Sequence, residues 1–229
     1  ADPSNFLPIR MGDVNGDGYS DVVVGAPLYD GGHYYEGRAM VYLGSASGLG
    51  TESVWYREAN QQNAMYGRAV STAGDVNGDG YDDIIVGCEK WDSSHYDMGK
   101  VEVFYGGPDG LSTMPSWTRF GSAYNNHLGE AVSTAGDVNG DGYDDIIVAA
   151  PNTDYALYQE GKVMVFHGSS SGLGGSPQWT EYGEVDYDHF GTSVSWAGDV
   201  NGDGYDDVII GTFHDPWFTS LPGCASVYL

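Results

Sequence analysis

Basic residues are scarce in this chain. Lysine and arginine together number 8 against 33 aspartates and glutamates, a formal charge of −25. Proteins that grip nucleic acid neutralise phosphates with basic patches, so this composition excludes nucleic acid, and anionic membrane surfaces with it. The two cysteines are too few for a disulfide scaffold. No apolar run is long enough for membrane insertion. No stretch holds a long 3.6-residue period, so almost no helix is expected. No Asn-x-Ser/Thr acceptor occurs, so N-glycosylation is not expected. The common catalytic signatures are missing too: there is no nucleophile elbow, no His-x-x-x-His pair and no Gly-rich phosphate loop. His33, His95, His127, His189 and His214 are candidate bases. The pairs His33/His95 and His127/His189 each lie one repeat apart, which points to repeat geometry, and a non-catalytic chain is expected.

What the chain has in abundance is one acidic loop in four copies. The first reads Asp13-Val-Asn-Gly-Asp-Gly-Tyr-Ser-Asp21, and the others run 75–83, 137–145 and 199–207. Their first residues are spaced 75−13, 137−75 and 199−137, or 62 each time. A fixed period of this size means a repeat architecture with one supersecondary unit per repeat.

The loop chemistry points to calcium, a hard cation that takes six to eight oxygens. Asp13, Asn15 and Asp17 hold positions one, three and five, Tyr19 offers its carbonyl at seven, and Asp21 closes the set at nine. Gly18 at position six permits the sharp turn. The sister sets are Asp75, Asn77, Asp79, Tyr81 and Asp83; Asp137, Asn139, Asp141, Tyr143 and Asp145; and Asp199, Asn201, Asp203, Tyr205 and Asp207. A single Asp-Gly-rich loop is an ordinary turn. Four copies that keep every ligand position are not, because three carboxylates in one short loop repel each other unless a cation holds them. About four calcium ions are expected; they would bring −25 to −17 and relieve self-repulsion. An EF-hand would need Glu at position twelve and a helix after it. That position is Val24, Val86, Val148 or Ile210, inside a β-branched run that forms a strand.

Gly37, Gly99, Gly161 and Gly223 precede apolar runs in the same register, and Trp55, Trp117 and Trp179 recur as packing residues. Each unit carries four short extended runs; in the second they fall near 66–73, 83–88, 100–106 and 115–120. Four strands per repeat is the signature of a β-propeller blade. The expected fold is therefore all-β, a propeller of four-stranded antiparallel blades. It is expected as one domain over 1–229, with blades at about 4–62, 63–124, 125–186 and 187–229.

The units resemble the FG-GAP repeats of integrin α-subunit propellers and related extracellular proteins. Phe190-Gly191 matches the first element and Gly25-Ala26-Pro27 the second. The Ala-Gly-Asp-Val-Asn-Gly-Asp-Gly-Tyr-Asp-Asp core stands at 73–83, 135–145 and 197–207. Tyr66-Gly67, Leu128-Gly129 and Ala149-Ala150-Pro151 are looser variants. The resemblance implies calcium in the loop joining the first and second strands of each blade, and an extracellular or cell-surface location. Two departures stand out. Residues 4–12 replace the first Phe-Gly strand, and the last unit stops at its third strand. That leaves three arrangements: a compact four-bladed ring, a segment of a longer array, or two chains that complete each other through open blade edges. The compact ring is the arrangement expected here.

Loops 28–36, 89–97, 152–160 and 213–219 differ most between repeats and lie on the face away from calcium. Tyr34, Trp91, Tyr96, Tyr155, Phe213 and Trp217 are the candidate ligand-binding residues there. Aromatics concentrate at protein-recognition hot spots, and sugars stack on them as well. The sequence favours a calcium-binding adhesion or ligand-recognition module for a protein or glycan ligand. The alternatives are a structural repeat segment of a larger surface protein, a designed or duplicated propeller without a ligand, and a lectin.

Overall fold

The computed structural model describes residues 12–214, 216–217 and 221–229. The run expected as the first strand of the first unit, 4–12, lies outside the described residues save for Gly12.

Four antiparallel sheets follow one another along the chain, and no helix occurs among the described residues. The first sheet contains β1 (Val22–Ala26), β2 (Arg38–Tyr42) and β3 (Trp55–Glu58). The second contains β4 (Tyr66–Gly74), β5 (Asp83–Cys88), β6 (Lys100–Phe104) and β7 (Trp117–Phe120). The third contains β8 (Ala131–Gly136), β9 (Asp145–Ala150), β10 (Lys162–Phe166) and β11 (Trp179–Tyr182). The fourth contains β12 (Phe190–Gly198), β13 (Asp207–Thr212) and β14 (Cys224–Tyr228). Each sheet is a simple meander, as the propeller reading requires.

The runs Asp-Ile-Ile-Val-Gly-Cys and Asp-Ile-Ile-Val-Ala-Ala form β5 and β9, buried at every position. A strand covered on both faces reads as a continuous β-branched run because each side chain meets a neighbouring sheet. Three apolar clusters fill the three seams. Val14, Ala39 and Val41 meet Ile84, Val86 and Phe104 in the first. Ile85, Val101 and Val103 meet Ile146, Val148 and Phe166 in the second. Ile147, Val163 and Val165 meet Val208, Ile210 and Phe190 in the third. The repeated tryptophans are seam residues. Trp55 packs edge-on to Phe104 at 4.8 Å and donates its indole N–H to the Ser112 carbonyl at 3.1 Å. Trp117 does the same with Phe166 and the Gly174 carbonyl. Backbones approach closely as well: a Cβ at Gly87 would stand 2.0 Å from the Gly129 carbonyl oxygen.

The packing runs β1 on β4, β4 on β8 and β8 on β12, with nothing comparable between β12 and β1 among the described residues. The expected compact ring is therefore not closed among these residues. They form an open arc of propeller blades whose first and fourth sheets each show an uncovered face. Cys88 is buried and Cys224 exposed, both as free thiols.

Candidate functional site

The acidic loops 75–83, 137–145 and 199–207 each join the first strand of a sheet to the second, loop 13–21 leads into β1, and Asx turns wind all four tightly. Asp75 accepts the Asp79 N–H at 3.1 Å and the Gly80 N–H at 2.8 Å, while Asn77 also accepts from Asp79. Asp79 in turn accepts the Tyr81 N–H at 3.1 Å. Loops 13–21, 137–145 and 199–207 repeat this pattern. Positions four and six need glycine, with φ of +73° at Gly78 and +91° at Gly80.

Position nine is a strut. Asp83 accepts the Val76 N–H at 3.1 Å and the Gly106 N–H at 2.9 Å, closing its own loop and tying it to the loop after β6. Asp21 and Asp145 make the equivalent pairs. Asp207 accepts from Val200 at 2.8 Å, and its other oxygen is buried without a partner. Burial pushes the Asp83 carboxyl up to about 8 and that of Asp145 to about 7, against the pull of their amide donors and with neighbouring aspartates adding to the rise.

Position eight has a different task, which the sequence reading missed. Asp82 accepts the Asp13 N–H of the preceding blade at 2.6 Å. Asp144 does this for Asp75 at 2.8 Å and Asp206 for Asp137 at 2.9 Å. The backbone answers in reverse, each position-eight N–H reaching the position-one carbonyl at 3.1–3.2 Å. The first copy carries Ser20 instead. That Asp-to-Ser difference was the available signal.

The oxygen donors of positions one, three and five suit a hard cation. Among the described residues, no group of three or more His, Cys, Asp or Glu side chains stands assembled to hold a metal. The position-nine carboxylate is turned to its two amides, and each of its oxygens keeps a second lone pair.

Antiparallel pairing sends the loops after β1, β5, β9 and β13 to the opposite end of the blades, with the connections between blades. Tyr34, Tyr96, Tyr155, Phe213 and Trp217 are exposed there, one or two per blade. Tyr34 stacks on Tyr35 at 3.8 Å and Tyr155 on Tyr182 at 4.5 Å. Trp91 differs: its ring lies under the Lys100 ammonium at 3.9 Å against the first seam, with its indole N–H buried. It is partly buried against that cluster. The loops of the first three sheets are braced from behind. Asn63, Asn125 and Tyr187 donate their N–H groups to the carbonyls of Tyr34, Tyr96 and Tyr158. A polar hollow of about 290 Å³ opens beside them, lined in part by Arg68, Glu89, His127, Asn152, His189 and Phe213. Asn152 bridges the two imidazoles, at 3.1 Å from His127 and 3.0 Å from His189.

Sheets of this form, stacked through a repeated loop clamp, define a β-propeller repeat protein. The family model for the FG-GAP repeat matches residues 9–42, 66–87, 128–166 and 190–212, more than half of the chain. The chain belongs to the FG-GAP repeat family. It is 33% identical over 228 residues to integrin alpha pat-2 of Caenorhabditis elegans, covering 88% of this chain and 17% of that one. Integrin alpha-V of Gallus gallus is 30% identical over 225 residues, with 90% and 20% covered. Integrin alpha-5 of Xenopus laevis is 29% identical over 216 residues, with 90% and 19% covered. The chain thus spans about a fifth of the length of these relatives. The crystal structure of an exotype rhamnogalacturonan lyase aligns with a TM-score of 0.48 at 17% identity, over 86% of this chain and 37% of that one. No helix among the described residues is long and apolar enough to cross a membrane.

Proposed function

We propose that this chain is a calcium-stabilised, non-catalytic recognition module that works in adhesion at the cell surface or outside the cell. Its ligand, a protein or a glycan, contacts the rim opposite the acidic loops. The observation that carries this reading is the division of labour between the two ends of the blades. One end repeats a single acidic loop almost unchanged. The other presents Tyr34, Tyr96, Tyr155, Phe213 and Trp217 in exposed loops that differ in every blade, the first three of them braced from behind. Variable loops on a fixed scaffold are where binding residues concentrate. The integrin alpha relatives supply the adhesion context, and millimolar calcium outside cells suits loops of this kind.

The ions would be held by the position-one, -three, -five and -nine side chains of each loop, with the position-seven carbonyl. A bound cation supplies the positive charge these carboxylates lack. The chain's own contribution is to hold the oxygens by Asx turns and to tie each loop to the next blade. The test is binding of the tagged chain to panels of extracellular matrix proteins and to a glycan array, in calcium and in chelator. Specific binding that disappears in the combined Tyr34→Ser, Tyr96→Ser, Tyr155→Ser and Phe213→Ser variant supports the reading. Binding that survives all four changes sinks it.

A further inference from the structure

The polar hollow of about 290 Å³ lies among the second, third and fourth blades, away from the acidic loops. Asn152 organises it. Its side-chain N–H donates to His127 Nδ1 at 3.1 Å, and its side-chain oxygen accepts from His189 Nδ1 at 3.0 Å. An amide nitrogen only donates and an amide oxygen only accepts, so the two neutral imidazoles are held as opposite tautomers. His127 then carries its proton on Nε2 and offers a donor, while His189 offers its Nε2 as an acceptor. Neither Nε2 has a protein partner among the described residues, and neither is buried. The two histidines recur with the repeat, but the residue that joins them does not. One period away from Asn152 stand Lys90 and His214. The bridge is thus built once, across the seam between the third and fourth sheets.

The charges around this bridge cancel. Arg68 pairs with Glu89 at 2.9 Å, and Glu130 lies 3.4 Å from His127. Lys90 has no ion pair among the described residues. Arg68 and Lys90 against Glu89 and Glu130 leave the hollow neutral in a chain of −25. An anion entering it would meet one unpaired ammonium and the repulsion of the whole chain. A cation would meet Arg68 and Lys90. What the wall offers instead is donors and acceptors side by side, with Lys90 and His127 Nε2 giving and Glu130 and His189 Nε2 receiving. Phe213, 53% exposed, adds an apolar face on the same wall, 6.3 Å from the His189 ring. Neighbouring hydroxyls on one sugar ring match this set, since each donates and accepts at once. A lone amide or hydroxyl side chain would leave most of these groups unpaired. The volume falls just below the roughly 300–1,000 Å³ of sites for drug-sized ligands, which suits one pyranose ring.

We infer that this hollow holds one uncharged pyranose residue of a glycan, its hydroxyls bonded to His127, His189, Glu130 and Lys90 and its ring resting on Phe213. The inference rests on the reading that the rim opposite the acidic loops carries the ligand, and it commits the ligand of this hollow to sugar. Asn152 is a positioning residue here, because it fixes which imidazole donates and which accepts.

The test is a glycan array probed with the tagged chain in calcium, with Asn152→Ala and Phe213→Ala alongside. In parallel, the imidazole nitrogens and the Asn152 amide are followed by NMR during titration with methyl glucoside, methyl galactoside and methyl mannoside. Binding to uncharged glycans is expected. A matching glycoside should shift the His127 and His189 Nε2 signals saturably, with a Kd on the order of 1 mM, ordinary for so small a ligand. Each variant should weaken binding at least about tenfold, as for a contact at the centre of a site. Phe213 is half exposed, so its removal spares the fold, and thermal melts check both variants. Tyr34→Ser, in the loop of another blade, should bind like the unaltered chain. A blank array with no shift at these side chains overturns the inference. Binding that both variants retain overturns it too, as does binding confined to acidic glycans. In any of these cases, a chain that still binds a matrix protein through Tyr34, Tyr96 and Tyr155 keeps the rim reading and loses only the sugar. A chain that binds neither protein nor glycan loses both.

Discussion

Asp144 separates the value of an acceptor from the value of a charge. Its half-buried carboxylate accepts the Asp75 N–H at 2.8 Å across the seam between the second and third sheets. Burial raises its pKa above the usual 3.8, and the like charges of Asp82, Asp75 and Asp206 push the same way, against the amide that lowers it. The oxygen is needed there and the charge is not. Asp144→Ala leaves the Asp75 N–H without its acceptor, which costs about 1–3 kcal/mol for a buried group. For a chain of this length, about 2 kcal/mol corresponds to roughly 4–8 °C in Tm. Asp144→Asn keeps an acceptor oxygen and removes the repulsion, so its melt should match or exceed the unaltered one. The pH dependence has a definite sign. With the folded pKa raised, the fold favours the protonated carboxyl, so stability is fullest at low pH and declines as pH rises above 3.8 and through the folded value. Thermal melts in chelator should show this decline, flatter for Asp144→Asn. An Asn variant as unstable as the Ala variant would refute the reasoning, because the charge itself would then be holding the seam.

Chelation should lower Tm by many degrees, since an ion bound only by the folded loops stabilises them by mass action; an unchanged melt removes calcium from the account. Asp137→Ala should remove one bound ion per chain in native mass spectrometry and leave the others, because repeat contacts are local; loss of all ions together would contradict independent loops. Trp117→Phe should keep the edge contact with Phe166 but lose the indole bond to Gly174. The expected cost is about 1 kcal/mol, or roughly 2–4 °C in the melt, and no change would mean that bond contributes nothing.

The 62-residue period was enough to place the strands. The runs expected at 66–73, 83–88, 100–106 and 115–120 stand at Tyr66–Gly74, Asp83–Cys88, Lys100–Phe104 and Trp117–Phe120. The β-branched content of the second and third runs reports burial directly, since β5 and β6 are buried at every position. The acidic loops were legible as sets of oxygen donors, but the distinct work of positions eight and nine was not. Those contacts join residues 69 and 23 apart, and no local pattern encodes them. The packing of Trp91 was hidden for a similar reason. It lies in a variable loop, and only the fold brings Lys100 over its ring. Closure also depended on information outside any one repeat, because each blade looks the same whether or not a neighbour covers it.

The Asp-Asp doublet at positions eight and nine would link the proposed ion binding to blade stacking. Adjacent residues in extended backbone point opposite ways. Asp144 therefore reaches back to the preceding blade while Asp145 turns into its own loop. An ion that fixes Asp145 would fix Asp144 through one peptide unit, and with it the seam. Hydrogen exchange can read this coupling at single amides. On chelation, the capped N–H groups of Asp75 and Asp137 should lose protection more than amides in the middle of β5 and β9, which the sheet ladders hold. The Asp199 N–H belongs to the same loop type, but among the described residues no position-eight carboxylate caps it as Asp144 and Asp206 cap Asp75 and Asp137, so it should exchange faster than those two with or without calcium. Equal loss of protection across β5, β9 and the loop amides would show that the ions stabilise the whole fold rather than its seams. No loss at Asp75 or Asp137 would uncouple the loops from the stacking altogether.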